Sequence, residues 1–228
     1  MAAPTPQDLL KRAKEKADRG DLFEALQDCS LAVELEPSAV THNARGAVRA
    51  ELGDHAGAVS DFSKALELNP RFVCALFNRG RAHEAIGDAA GAKADYQAAA
   101  DAEPAPDDAN GFLGRGKARY RRRDVDGAIA DLTRAISLDP DSLQAYRCRG
   151  LVYEESRRPQ EAIADYSQVI RLAPTDPDGH LARGEMHRVA GNLDGALEDA
   201  RRALEVAAAD WPDRRRAVEM VKDLRWRV

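Results

Sequence analysis

The chain has 228 residues, of which 32% are charged and 5% aromatic, and alanine, leucine, glutamate and arginine dominate, a composition that favours helices. Its formal net charge of −5 argues against a chain built to neutralise nucleic-acid phosphates. Cys29, Cys74 and Cys148 lie far apart with no CxxC or His/Cys ligand spacing, which excludes a disulfide framework or zinc site as an expectation and leaves reduced thiols in a cytoplasmic protein.

The N-terminal run MAAPTPQDLLKRAKEK has no apolar stretch of the secretory kind, and no segment approaches 18 consecutive apolar residues, so neither a signal peptide nor a membrane span is expected. A first helix is expected at about 6–19. Gly20 and Asp21 then supply a stop and a start, a second helix runs to about 35, and Pro37 ends the pair. The same order returns along the chain. First helices are expected at about 39–52, 73–86, 107–122, 143–156 and 177–190, and second helices at about 54–68, 89–102, 124–138, 159–172 and 193–208. A last helix at about 212–226 follows Asp210-Trp211-Pro212.

The spacing is a repeat. Pro37, Pro70, Pro104, Pro140 and Pro174 are separated by 33, 34, 36 and 34 residues. Ala25, Ala58, Ala92, Ala128, Ala162 and Ala196 recur in phase, and so do Gly46, Gly80, Gly116, Gly150 and Gly184, with Ala13 in that slot of the first unit. Small residues mark where helices cross closely. Apolar residues such as Val59, Phe62 and Leu66, or Ile129, Leu132 and Ile136, form one stripe per second helix. Each pair is too small to bury its own stripe, and stacking on the next pair completes the core.

On these residues the sequence resembles the tetratricopeptide repeat family, whose unit ends A-x3-F…P; Ala58-x3-Phe62…Pro70, Ala92-x3-Tyr96…Pro104 and Ala162-x3-Tyr166…Pro174 carry the match. The resemblance implies an all-α, right-handed superhelical solenoid of antiparallel helix pairs. We expect a single domain over 1–228, with repeats at about 6–38, 39–72, 73–108, 109–142, 143–176 and 177–210 and a capping helix at 211–228.

One slot departs from the family. Where the family carries leucine before the glycine, this chain has Arg12, Arg45, Arg79, Arg115, Arg149 and Arg183, and sixteen residues after each stands Asp28, Asp61, Asp95, Asp131, Asp165 or Asp199. A lone charge beside packing positions is costly. The joint occurrence therefore reads as a structural ladder of largely buried Arg–Asp ion pairs rather than arginines offered to a ligand.

The resemblance also implies a function: a protein-interaction scaffold that holds a peptide or partner segment on the concave face lined by first helices, with no catalysis of its own. Carried over slot by slot, that face gives Phe77, Leu113 and Tyr120 as apolar anchors and Arg81, Lys117, Arg121 and Arg147 as a positive strip, suited to an acidic partner. Glu84, Glu154 and Glu155 oppose the strip. The slots by which one subclass grips chaperone C-termini hold Leu10, Lys14, Ala44, Cys74 and Asn78, which argues against that clamp.

Other readings are weaker. The basic run Arg115–Arg123 could contact nucleic acid, but helical spacing scatters its side chains around the axis. His180 and His187 share a helix face, yet His180 falls in a bulky packing slot, so no metal site is expected. No P-loop, GxSxG or HExxH motif is present, so no catalytic residue, cofactor or metal ligand is assigned, and a role beside an enzyme stays an alternative. Homo-oligomerisation through the terminal helix, which carries Trp226, stays open.

Overall fold

The structure, a computed structural model, describes residues 4–225. Thirteen helices occur among them: α1 Pro6–Asp18, α2 Leu22–Leu35, α3 Ala39–Glu51, α4 His55–Leu68, α5 Val73–Ala85, α6 Ala89–Asp101, α7 Ala109–Arg121, α8 Val125–Leu138, α9 Leu143–Glu155, α10 Pro159–Leu172, α11 Pro177–Val189, α12 Leu193–Val206 and α13 Arg214–Leu224. They alternate as the first and second helices of six repeats, with α13 after the last. The sequence reading of an all-helical repeat protein holds at the level of single elements. The seventh first-type helix begins two residues later than expected, after Pro212 instead of around it. Trp226 lies outside the described residues.

Local chemistry starts most of the helices. Thr5 and Asp8 form a reciprocal box at the start of α1, the Thr5 amide donating to Asp8 at 3.0 Å and the Asp8 amide to Thr5 Oγ1 at 3.2 Å. Asp54, Asp88, Asp108, Asp124 and Asn192 each accept from the backbone N–H of the glycine three residues on, at 2.8–3.1 Å. Asp21, expected to do the same, makes no such bond.

Helix ends are equally regular. Gly20, Gly53, Gly87 and Gly191 adopt φ of 81–85°, and the next amide reaches back to the last turn, as Asp88 N–H does to His83 O at 2.8 Å. The fourth and fifth repeats place Arg123 and Arg157 in that slot, with φ of 66° and 56°. These are left-handed conformations that a side chain adopts at a cost.

The helices group into two compact units, residues 1–123 and 124–228. In the first unit α1/α2, α3/α4 and α5/α6 pack as pairs, and successive first helices also touch: α1 with α3, α3 with α5, α5 with α7. Its interior includes Ala65, Val73, Leu76, Phe77, Tyr96 and Ala99. In the second unit α9/α10 and α11/α12 pair, and α13 packs on α12 through Ala217, Met220 and Leu224.

The crossing glycines are forced by what faces them. A Cβ on Gly46 would lie 2.8 Å from Phe62, and one on Gly80 would lie 2.7 Å from Tyr96. In the first repeat the equivalent position is the buried Ala13, and the residue sixteen further on is Cys29, much smaller than Phe or Tyr. Volume is thus exchanged across the crossing while density is kept.

Candidate binding surface and its ion-pair frame

Five Arg–Asp pairs lie within single units. Each arginine spans its aspartate with two parallel N–H···O bonds. Arg45 Nε and Nη2 lie 2.9 and 2.6 Å from Asp61, those of Arg79 2.9 and 2.7 Å from Asp95, and those of Arg149 and of Arg183 each 2.8 and 2.7 Å from Asp165 and Asp199. Arg12 grips Asp28 in the same way, with Nε at 2.7 Å. Arg115 donates to the carbonyl of Ala102 at 3.1 Å, and Asp131 is buried. The five paired carboxylates are 3–5% exposed, so each is viable only because a fork of donors meets it. These bonds raise the pKa of Arg45, Arg79, Arg149 and Arg183, against the opposing effect of burial.

The arginines themselves are less buried than expected. The Arg12 side chain is 50% exposed, whereas that of Arg149 is 16% exposed. Arg12 belongs to the first repeat, with no earlier helix pair described beside it. Later arginines are covered by the preceding repeat and bond to it: Arg79 Nη1 reaches Ser63 Oγ at 3.2 Å, Arg149 reaches Thr133 at 2.9 Å, and Arg183 reaches Ser167 at 3.2 Å. The ladder therefore ties neighbouring repeats as well as the two helices of one repeat. Its sequence signal was a hydroxyl residue directly after the Phe62, Leu132 and Tyr166 slot, which the spacing analysis passed over.

A second donor reaches two of these carboxylates and stands near two more. Four residues after the ladder arginine stand Lys16, Arg49, His83 and His187; Lys16 Nζ is 3.0 Å from Asp28 and Arg49 Nη1 2.7 Å from Asp61, while the two histidines approach at 3.7 and 3.9 Å. His180 is 5% exposed and its Nε2 contacts the Pro174 carbonyl at 3.1 Å. Both histidines of α11 thus belong to this frame, and no cluster of three potential metal ligands occurs among the described residues.

The expected groove residues fall on α5 and α7 in the first unit and α9 in the second. Arg81 is exposed and makes no ion pair among the described residues, while Leu113, Lys117 and Tyr120 are half-buried. Phe77 differs from expectation. It is 7% exposed, with its ring centroid 5.5 Å from that of Tyr96, so it forms a floor and not a free anchor. Lys117 Nζ sits 5.8 Å above that ring, a cation–π distance.

The positive strip is partly neutralised. Arg121 lies 5.8 Å over the Tyr96 ring and 3.7 Å from Glu84, whose carboxylate also accepts from the Tyr96 hydroxyl at 2.7 Å. Burial, then this bond, pushes the Tyr96 pKa up. Arg147 is taken by Asp176 at 2.6 Å, a contact the sequence reading did not foresee. Arg81 and Lys117 are left as its cations not bound to carboxylates. Cys29, Cys74 and Cys148 are not in disulfides, and burial pushes the pKa of the first two up to about 11, which keeps them protonated at neutral pH.

No helix among the described residues is long and apolar enough to cross a membrane. The tetratricopeptide repeat model matches residues 43–109, 113–177 and 149–214. Among solved structures, MamA is 26% identical, with a TM-score of 0.53 over 71% of this chain and 93% of that one. YrrB, described as a tetratricopeptide repeat protein with an unusual peptide-binding site, is 20% identical, with a TM-score of 0.56 over 85% and 97%. The Cut9–Hcn1 structure is 16% identical, with a TM-score of 0.72 over 96% of this chain and 42% of that one. Comparison with curated proteins finds no match. With the family model covering most of its length and the helix pairs repeating in register, this chain belongs to the tetratricopeptide repeat family.

Proposed function

We propose that the chain is a protein-interaction scaffold, and that the first-helix face of α5 and α7 holds a short acidic-plus-apolar segment of a partner. The observation that supports this reading is Lys117, above the Phe77 ring and bound to no carboxylate among the described residues, with half-buried Leu113 and Tyr120 on the same helix and the exposed, likewise carboxylate-free Arg81 on α5. An apolar side chain on that surface excludes water around the charges, and Arg81 and Lys117 then favour an acidic neighbour. YrrB supplies a precedent for peptide binding on this fold. Arg121, in the same unit, extends the strip once the partner's carboxylates compete with Glu84.

A library of peptides with acidic and apolar positions, read by fluorescence anisotropy, tests the reading. Binding should fall as salt rises, and Arg81→Glu with Lys117→Glu should slow association and flatten that salt dependence. Tyr120→Ala should speed dissociation. If enriched peptides bind the charge-reversed variant as they bind the wild type, this face is not the site.

A further inference from the structure

The joint between the third and fourth repeats breaks a pattern kept by the two joints before it. Two slots define each joint: the residue after the buried alanine of a second helix, and the C-cap residue of the next first helix. At the first joint they are Leu26 and Leu52, which pack on one apolar cluster. At the second they are Val59 and Ile86. At the third they are Lys93 and Arg122, with Arg121 alongside. Two cations replace two apolar side chains, so like charges repel and the apolar packing of the Leu26 and Val59 slot is forgone.

These three cations line a cleft of about 430 Å3 over small alanines of α6, with Tyr96 and Glu84 in its wall. Their internal partners are distant. Arg121 is 3.7 Å from Glu84 and Arg122 is 3.6 Å from Asp101, both beyond hydrogen-bonding range, and Lys93 has no partner among the described residues. The ladder arginines of the same unit lie at 2.6–2.9 Å from their carboxylates, so the chain builds tight pairs where it uses arginine for structure. Three cations with two carboxylates beside them, Glu84 in the wall and Asp101 outside it, leave an excess of one positive charge at the cleft, in a chain of net charge −5.

We infer that this cleft binds a phosphomonoester. A carboxylate offers two acceptor oxygens to the three cations, whereas a phosphomonoester brings about −1.5 to −2 with three acceptor oxygens, one for each arginine and the lysine, and competes better with the loosely held Glu84 and Asp101. A phosphorylated side chain of a partner and a small free phosphate compound present the same group. This site is separate from the groove reading and shares only Arg121 with it.

Calorimetric titration of the full chain at fixed ionic strength tests the inference, with inorganic phosphate, a phosphoserine peptide and its unphosphorylated twin as probes. Phosphate and the phosphopeptide should bind and the twin should not. The phosphopeptide binding tighter than inorganic phosphate points to a protein-borne group, and equal affinities point to a small free ligand. Lys93→Leu with Arg122→Leu restores the chemistry of the first joint. It should lose at least about tenfold in affinity, while its melting temperature in phosphate-free buffer stays the same or rises. Lys93→Gln, which keeps the size and removes one charge, should weaken binding in the same direction. No heat from either phosphate probe, or wild-type affinity in the double variant, overturns the inference.

Discussion

Arg149 holds Asp165 through two parallel bonds of 2.8 and 2.7 Å, and its remaining nitrogen reaches back to Thr133 at 2.9 Å, so one side chain joins three helices. Asp165 is 3% exposed. Removing the arginine leaves a buried carboxylate without its main donor, which costs about 3–5 kcal/mol. Arg149→Ala should lower stability by an amount of that order in chemical denaturation, and Arg149→Leu with Asp165→Leu should recover most of it. An Arg149→Ala variant with the wild-type midpoint would show that the pair is idle.

The first pair sets a pH dependence. The hydrogen bond from Arg12 holds the Asp28 carboxyl below its ordinary value of 3.8; burial opposes this and Lys16 adds to it. A carboxyl depressed in the folded state stabilises above its unfolded pKa and loses that contribution as pH falls through the folded value. Stability should therefore decline as pH drops below about 4, and Asp28→Asn should be less stable at neutral pH but show a shallower decline in that window. Parallel acid curves for the two proteins would exclude the linkage.

Arg157 occupies with φ of 56° the turn position that Gly20, Gly53, Gly87 and Gly191 occupy with φ of 81–85°. A left-handed residue with a side chain costs roughly 1–2 kcal/mol, partly offset by the greater freedom of glycine in the unfolded chain. Arg157→Gly should raise the thermal midpoint modestly. Gly87→Ala should lower it, and the same sign for both would contradict the assignment.

A Cβ at Gly80 would stand 2.7 Å from the Tyr96 ring. Gly80→Ala should destabilise by about 1–3 kcal/mol through overpacking. Adding Tyr96→Cys reproduces the Ala13/Cys29 combination of the first repeat and should return part of the loss. Additive losses in the double variant would mean the two positions do not compete for space.

The second helix of the third repeat, α6, is built from small residues, and Lys93 stands in a slot that is apolar in the other repeats. A seven-residue link, 102–108, follows it, against three residues between α2 and α3. Less apolar area is buried per residue, at about 25 cal/mol per Å2. Amides of 89–108 should exchange faster than those of α10 and α12. Uniform protection would defeat this expectation.

The 34-residue period, the helix pairs and their stops are legible in the sequence because they depend on local chemistry: glycine at positive φ, Asp or Asn at helix starts, and alanine at crossings. The Arg–Asp spacing of sixteen is legible for a related reason, since an arginine and an aspartate beside packing positions of facing helices must recur together. Which side chains meet beyond that depends on how neighbouring helices sit. Lys16 and Arg49 converge on carboxylates that already have an arginine, Arg147 turns to Asp176, and Phe77 sinks beneath Lys117 against Tyr96. The meeting of Lys93 with Arg121 and Arg122 around one cleft is of the same kind. A long polar side chain reaches several partners from one backbone position, so its choice is settled by distances between helices and not by its place in the repeat.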